Sequence, residues 1–200
     1  MGAVLMMRVT AAWAASVALT SAHLGTGIVT PYLFPTSVST TNNGNKAGKL
    51  QASDSVTLNF SEQIQASTLC SSASNSVTSQ NLPGLTAQLV DNGATTGNDQ
   101  LAFQVGSSTC SALHIGTLDL GSANYVTGGS VSFPTSSALV TQGTSTATVT
   151  ITLGTPSAGG TLGTLTGGSS VLYTPDPTIT DKSSHAIGTS TAATSVTSQF

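Results

Sequence analysis

From about residue 36 onward, apolar side chains recur at every second position between clusters of Gly, Asn, Ser and Pro, the signature of half-buried β-strands. Across residues 54–61, Val56, Leu58 and Phe60 fall on one face and Ser55, Thr57 and Asn59 on the other. One face packs and the other is wet. Leu85, Ala87 and Leu89 repeat the pattern ahead of Asp91-Asn92-Gly93, and Leu101, Phe103 and Val105 repeat it after Gly97-Asn98-Asp99. The two runs predict an antiparallel hairpin with a long tip. Leu113 and Ile115 share one phase while Leu118 and Leu120 share the other, and a bulge at Gly116 reconciles them. The most regular run is 145–153, where Ala147, Val149, Ile151 and Leu153 alternate with Thr146, Thr148, Thr150 and Thr152. Threonine suits the solvated face, because its branched side chain favours strands and its hydroxyl replaces a charge. Further strands are predicted at 130–133, 137–142, 161–166, 170–174 and 192–199, with one helical turn at 65–69. Some nine or ten short strands without an internal repeat predict an all-β, antiparallel β-sandwich over residues 36–200.

The first 29 residues do not share this pattern. A single positive charge at Arg8 precedes an uncharged run from Val9 to Ala22, which matches a signal peptide with its apolar region at 9–19 and a cut ahead of His23. The rival reading is an uncleaved membrane anchor extended to Val29, in which His23, several hydroxyls and three glycines weaken the span. Residues 30–35 would then be a linker, and any membrane contact would run through residues 1–29.

Composition changes the picture in two ways. Only 6% of the chain is charged, against about 25% in an ordinary soluble protein, so its 30 Ser and 34 Thr solvate the surface. The net charge of −3, with Lys46, Lys49 and Lys182 scattered, offers no basic stripe to a phosphate backbone. That excludes nucleic acid as the expected partner. A mean hydropathy of +0.20 separates the chain from the disordered class.

Cys70 and Cys110 are the only cysteines, forty positions apart and outside any zinc-type spacing. They predict a structural disulfide and an oxidising compartment, worth about 3–4 kcal/mol on the chain-entropy account.

Two stretches carry a family resemblance. Asp54-Ser55-Val56-Thr57-Leu58-Asn59-Phe60-Ser61-Glu62, with Ile64 and Ser67-Thr68-Leu69, resembles the D-x-V-T-V-T-F-S-E-x-V/I-x-x-S-T-L opening of bacterial Ig-like domains of the S-layer type. Tyr173 to Asp181 is similar to the closing Y-T-x-x-x-x-I-T-D-x-x-G-N of the same domains. Residues 118–125 resemble a mid-domain insertion seen in secreted variants. The resemblance implies an Ig-like sandwich, an extracellular or cell-surface address, and Asp54, Phe60, Glu62, Asp176 and Asp181 as motif positions. It implies a fold and an address rather than a reaction. The chain departs from the motif where Gly-Asn becomes Ser184-His185.

Candidate chemistry is sparse. No G-x-S-x-G elbow, HExxH or paired-acid motif occurs, and no catalytic residue is expected. His114, flanked by Leu113 and Ile115, is expected on the wet face of a strand. Calcium is the more credible chemistry, since Asp91, Asn92, Asn98 and Asp99 place oxygen donors on one hairpin tip. Glu62, Asp176 and Asp181 form a second candidate group if their segments meet. The same residues also serve turns for backbone reasons alone. The reading is a non-catalytic secreted or surface module, structural or adhesive, whose partner is an envelope or extracellular protein or glycan. The alternatives are a carbohydrate-binding module, which needs exposed aromatic platforms such as Tyr125, and an exported hydrolase.

Overall fold

The computed structural model of the chain describes residues 33–93, 97–105, 110–194 and Phe200. The export or anchor segment at 1–29, the tip residues 94–96 and most of the predicted last strand, 195–199, lie outside the described residues. Eleven strands are described: β1 (Pro35–Thr41), β2 (Ser55–Phe60), β3 (Ser79–Val90), β4 (Gln100–Val105), β5 (Gly116–Asp119), β6 (Val126–Thr127), β7 (Val131–Gln142), β8 (Ala147–Thr152), β9 (Thr161–Leu162), β10 (Leu172–Pro175) and β11 (Ala192–Ala193). A single helical turn, α1 (Ala66–Leu69), follows β2. The protein is all-β, and every described strand pair is antiparallel.

Nine strands form one sheet in the order β1-β2-β8-β7-β3-β4-β5-β10-β11, and β6 pairs with β9 in a separate ribbon. The sheet curls around its own core. Phe60 on β2 and Tyr173 on β10 lie second from opposite ends of the sheet, yet their rings meet edge to face with centroids 6.2 Å apart. The Gly188 N–H donates to the Leu33 carbonyl (2.8 Å), tying the segment before β1 to the segment before β11. Period two drives this arrangement. In β8 the alternation of Ala, Val and Ile with Thr becomes a strict alternation of buried and partly exposed positions, and β2 does the same.

The outer face of β1, β2, β8 and β7 is set by one continuous register. Three rows run across it: Thr41–Ser55–Thr152–Ser137, Ser39–Thr57–Thr150–Leu139 and Ser37–Asn59–Thr148–Thr141. The Thr-rich strand β8 therefore lies in the interior of the sheet between β2 and β7 and presents no open edge.

Several boundaries differ from the sequence reading: the strand predicted at 161–166 shrinks to β9, and that at 170–174 becomes β10. The predicted strands at 130–133 and 137–142 are one strand, β7, which continues past Pro134 through Thr135 at φ +59°. The Ser136 hydroxyl repairs the interruption by donating to the Phe133 carbonyl (2.7 Å) and accepting from the Gly154 N–H (2.9 Å). Before Leu85, β3 extends back to Ser79 against β7. At Gly116 the backbone takes φ +104°, and a Cβ there would lie 2.2 Å from the Thr174 carbonyl oxygen, so the expected change of phase coincides with a close approach that only glycine allows.

Candidate functional site

The two segments of the family resemblance meet at one end of the fold. As the chain leaves β2 it passes Glu62 and Gln63, forms an isolated bridge between Ile64 and Asp181, and enters α1. The loop after β10 closes over this segment. Gln65 N–H donates to the Thr180 carbonyl (2.8 Å), Thr180 N–H to the Thr68 hydroxyl (3.2 Å), and the Thr180 hydroxyl to the Gln65 amide oxygen (3.1 Å). From the other side, the buried Gln142 amide grips both backbone groups of Ile64, accepting its N–H (3.2 Å) and donating to its carbonyl (2.7 Å).

Asp181 is the centre of this junction. It is 2% exposed. One carboxylate oxygen accepts the N–H groups of Ser183 and His185, both at 2.8 Å, and the other lies 2.8 Å from His185 Nδ1. Burial pushes the Asp181 carboxyl up, but the backbone and ring donors of His185 and the Ser183 N–H outweigh it and hold the group below its ordinary value. Glu62 moves the opposite way. Burial, the neighbouring Asp181 charge and a hydrogen bond to Asp181 all raise it, against the lowering influence of His185. Two of the three acids grouped from sequence thus come together, with a histidine beside them.

Asp176 does not join them. Its carboxylate lies 3.2 Å from His114 Nδ1 and accepts the Thr178 N–H (2.9 Å) and hydroxyl (2.6 Å). Burial opposes ionisation here too, and the Thr178 donors with His114 overcome it, leaving the group below its ordinary value. His114 therefore sits against a carboxylate rather than free on a wet strand face. Both histidines share a design in which the carboxylate lies on Nδ1, leaving Nε2 as the remaining polar atom of side chains 38% and 43% exposed.

The departure at Ser184-His185 has a structural answer. Ser184 adopts φ +68°, the left-handed conformation that glycine would supply, and the His185 ring provides the hydrogen bond to Asp181. Sequence reasoning did not find the Asp181–His185 pair, although the altered motif position was its signal.

At the hairpin tip the four candidate calcium ligands point apart. Asp91 accepts the Gly93 N–H (2.8 Å) with one oxygen and the Gly129 N–H (3.1 Å) with the other. The Gly129 donor, then the Gly93 donor, hold its carboxyl below the ordinary value. Asn92 donates to the Asn98 carbonyl (2.8 Å), and the Asn98 amide donates to Asp119 (2.9 Å). Asp99 is fully buried, with Oδ2 accepting the N–H groups of Tyr125 (2.8 Å) and Val126 (3.0 Å). Its Oδ1 has no partner. Asp119 pairs across the ladder with Gln100, so it and Asp99 face opposite sides of the strand. Among the described residues, no three His, Cys, Asp or Glu side chains gather as a metal-binding group. Asp119, absent from the sequence-level group, accepts the Gly121 N–H (2.7 Å); the Asp-x-Gly spacing was the available signal.

Asp54 is also fully buried, and it organises the β1–β2 connection. It accepts backbone N–H groups from Asn43 (3.0 Å), Gly44 (2.8 Å) and Gln51 (2.7 Å). Tyr125, the aromatic platform considered for glycan stacking, lies inside, as does Tyr173. Tyr125 is 1% exposed, hydrogen-bonded to Ser169 (2.9 Å) and edge to face with Phe200, and Tyr173 is fully buried. Burial pushes both phenols above their ordinary range. Cys70 and Cys110 form a disulfide with Cα atoms 5.3 Å apart, anchoring the chain after α1 to the segment that leads through His114 into β5. No helix among the described residues is long and apolar enough to cross a membrane. Comparison of the chain with family models, with curated proteins and with solved structures returns no match.

Proposed function

We propose that the chain is a secreted or cell-surface Ig-like β-sandwich module with a structural or adhesive role and no catalytic chemistry of its own. The observation that carries the reading is the junction of the two motif segments. Asp54 to Leu69 and Tyr173 to Asp181 resemble the opening and closing of one domain type, and they pack on each other through Ile64, Thr180 and Asp181. The acids of those motifs support the same reading, because Asp54, Asp176 and Asp181 accept hydrogen bonds that shape their own loops. The disulfide is compatible with an oxidising, extracellular location. A surface solvated by hydroxyls instead of charges suits a spacer or contact module.

The test is the intact mass of the natively produced chain, with and without reduction, from separated medium and envelope fractions. A chain starting near His23 in the medium, gaining two hydrogens on reduction, is the expected result. A full-length chain in the envelope would make residues 1–29 an anchor and the protein a tethered one. A reduced, full-length chain in the cytoplasm would overturn the reading.

A further inference from the structure

The outer face of β1, β2, β8 and β7 is a regular surface, and its chemistry is uniform. Its twelve positions comprise six Thr, four Ser, one Asn and one Leu. All twelve are at least partly exposed. None is charged and none is aromatic, while the seven acids of the chain fall outside it, in the loops and at the end of β5. The hydroxyls are held in order. Threonine has a stiff χ1, the Thr57 and Thr150 hydroxyls hydrogen-bond across strands at 3.2 Å, and Asn59 donates to the Ser37 hydroxyl at 2.9 Å. Strand geometry sets the repeat at about 4.8 Å between strands and about 6.7 Å between like-facing residues on one strand.

Such a face selects its partner. It offers no charge to an ionic polymer, so neither phosphate-rich nor basic surfaces gain anything by binding it. It offers no aromatic ring on which a sugar could stack. What it offers is a preordered, uncharged grid of groups that both donate and accept hydrogen bonds, each Thr adding a methyl beside its hydroxyl. Charged side chains, which hold tightly bound water of their own, are missing from it. We propose that this face docks on the surface of ice, whose water lattice is likewise uncharged, repeats in two directions, and presents donors and acceptors together. The Thr57–Thr150 pair lies at the centre of the contact, and sheet twist confines the match to the rows around it. The proposal concerns the folded face alone and does not depend on the surface-module reading.

The experiment is slow freezing of a dilute solution of the folded chain, comparing the fraction captured in ice with that of an inert protein of similar size. The wild type is expected to be enriched in ice. Thr150→Lys is expected to lower that enrichment about tenfold, the equivalent of one lost contact of moderate strength. Gln104→Lys, outward on β4 in the other half of the sheet, is expected to match the wild type. Circular dichroism checks that each variant folds, and Ser39→Lys on the edge strand β1 serves if the central substitution does not. Exclusion of the wild type from ice overturns the proposal, as does enrichment of folded Lys variants equal to wild type. Retention on microcrystalline cellulose without capture by ice also overturns it, in favour of a glycan.

Discussion

Two fully buried aspartates, Asp54 and Asp99, are expected to respond very unequally to the same substitution. At Asp54 both oxygens are engaged: Oδ1 accepts Asn43 and Gly44, and Oδ2 accepts Gln51. In Asp54→Asn one oxygen becomes an NH2, so either the Gln51 N–H or the Asn43 and Gly44 pair faces a donor. Leaving one buried N–H unsatisfied costs about 1–3 kcal/mol, while the help the charge gave the remaining bonds is offset by relief of its burial. A loss of about 1–3 kcal/mol is a sizeable part of the roughly 5–15 kcal/mol that holds a domain together. At Asp99 only Oδ2 is engaged, by Tyr125 and Val126, and Oδ1 has no partner. The amide oxygen of Asp99→Asn keeps both bonds, its NH2 replaces an atom that bonded nothing, and, as at Asp54, relief of the buried charge offsets the weakening of the bonds that remain. The net change is expected to stay within about 1 kcal/mol. Urea unfolding of the oxidised protein, followed by far-UV circular dichroism, separates the cases. With a slope of about 2 kcal/mol per M, Asp54→Asn should lower the midpoint by about 0.5–1.5 M and Asp99→Asn by no more than about 0.5 M. Equal shifts, or a larger one at Asp99, would refute the assignment of load to individual oxygens.

Four further outcomes follow from the closing loop and the disulfide. Glu62 titrates above its ordinary value of 4.5 in the folded state, so its favourable contribution is complete below that value and is lost as pH rises through the folded value. Glu62→Gln should therefore stabilise the fold at pH 7 by a few tenths to about 1 kcal/mol, screened by its partial exposure. That gain should vanish near pH 4 in parallel thermal melts; a gain that persists there would exclude the charge explanation. Asp176 and Asp181 are held below their ordinary 3.8, so the stability they add is present above that value and lost as pH falls beneath it. Ser184→Gly should raise stability by about 0.5–1 kcal/mol, the left-handed strain of about 1–2 kcal/mol less the added chain entropy of glycine; an unchanged or lowered urea midpoint would show the serine unstrained. Reduction of the Cys70–Cys110 bond, or Cys110→Ser, should cost about 2–4 kcal/mol, measured as the difference in midpoint between oxidised and reduced protein.

The elements most legible in the sequence were those whose burial is one-sided along their whole length. β2 and β8 alternate without a break because each contributes one face to the core, and the hairpin of β3 and β4 follows the same rule. Where a strand survives an interruption, the letters mislead. Pro134-Thr135 looks like a stop, and only the Ser136 hydroxyl, bonded to Phe133 and Gly154, carries β7 across it. Strand order was not legible, because β8, though joined to β7 by a local hairpin, takes its other neighbour, β2, from a distant part of the chain. The acids around the closing loop could be named, but not their partners. Ile64 brings Glu62 to Asp181, while Thr178 and His114 draw Asp176 elsewhere, and such choices depend on which carboxylate meets a donor first in space.

The central position of β8 also governs when the sheet can form. Thr57 and Thr150, in contact across the middle of it, are 93 positions apart, and long sequence separations of this kind slow folding to milliseconds or longer. A ribosome that has released only the first half of the chain presents β2 with a vacant neighbour, since the strand that must flank it has yet to be synthesised. The centre of the sheet therefore cannot close until the chain has been made as far as Thr152.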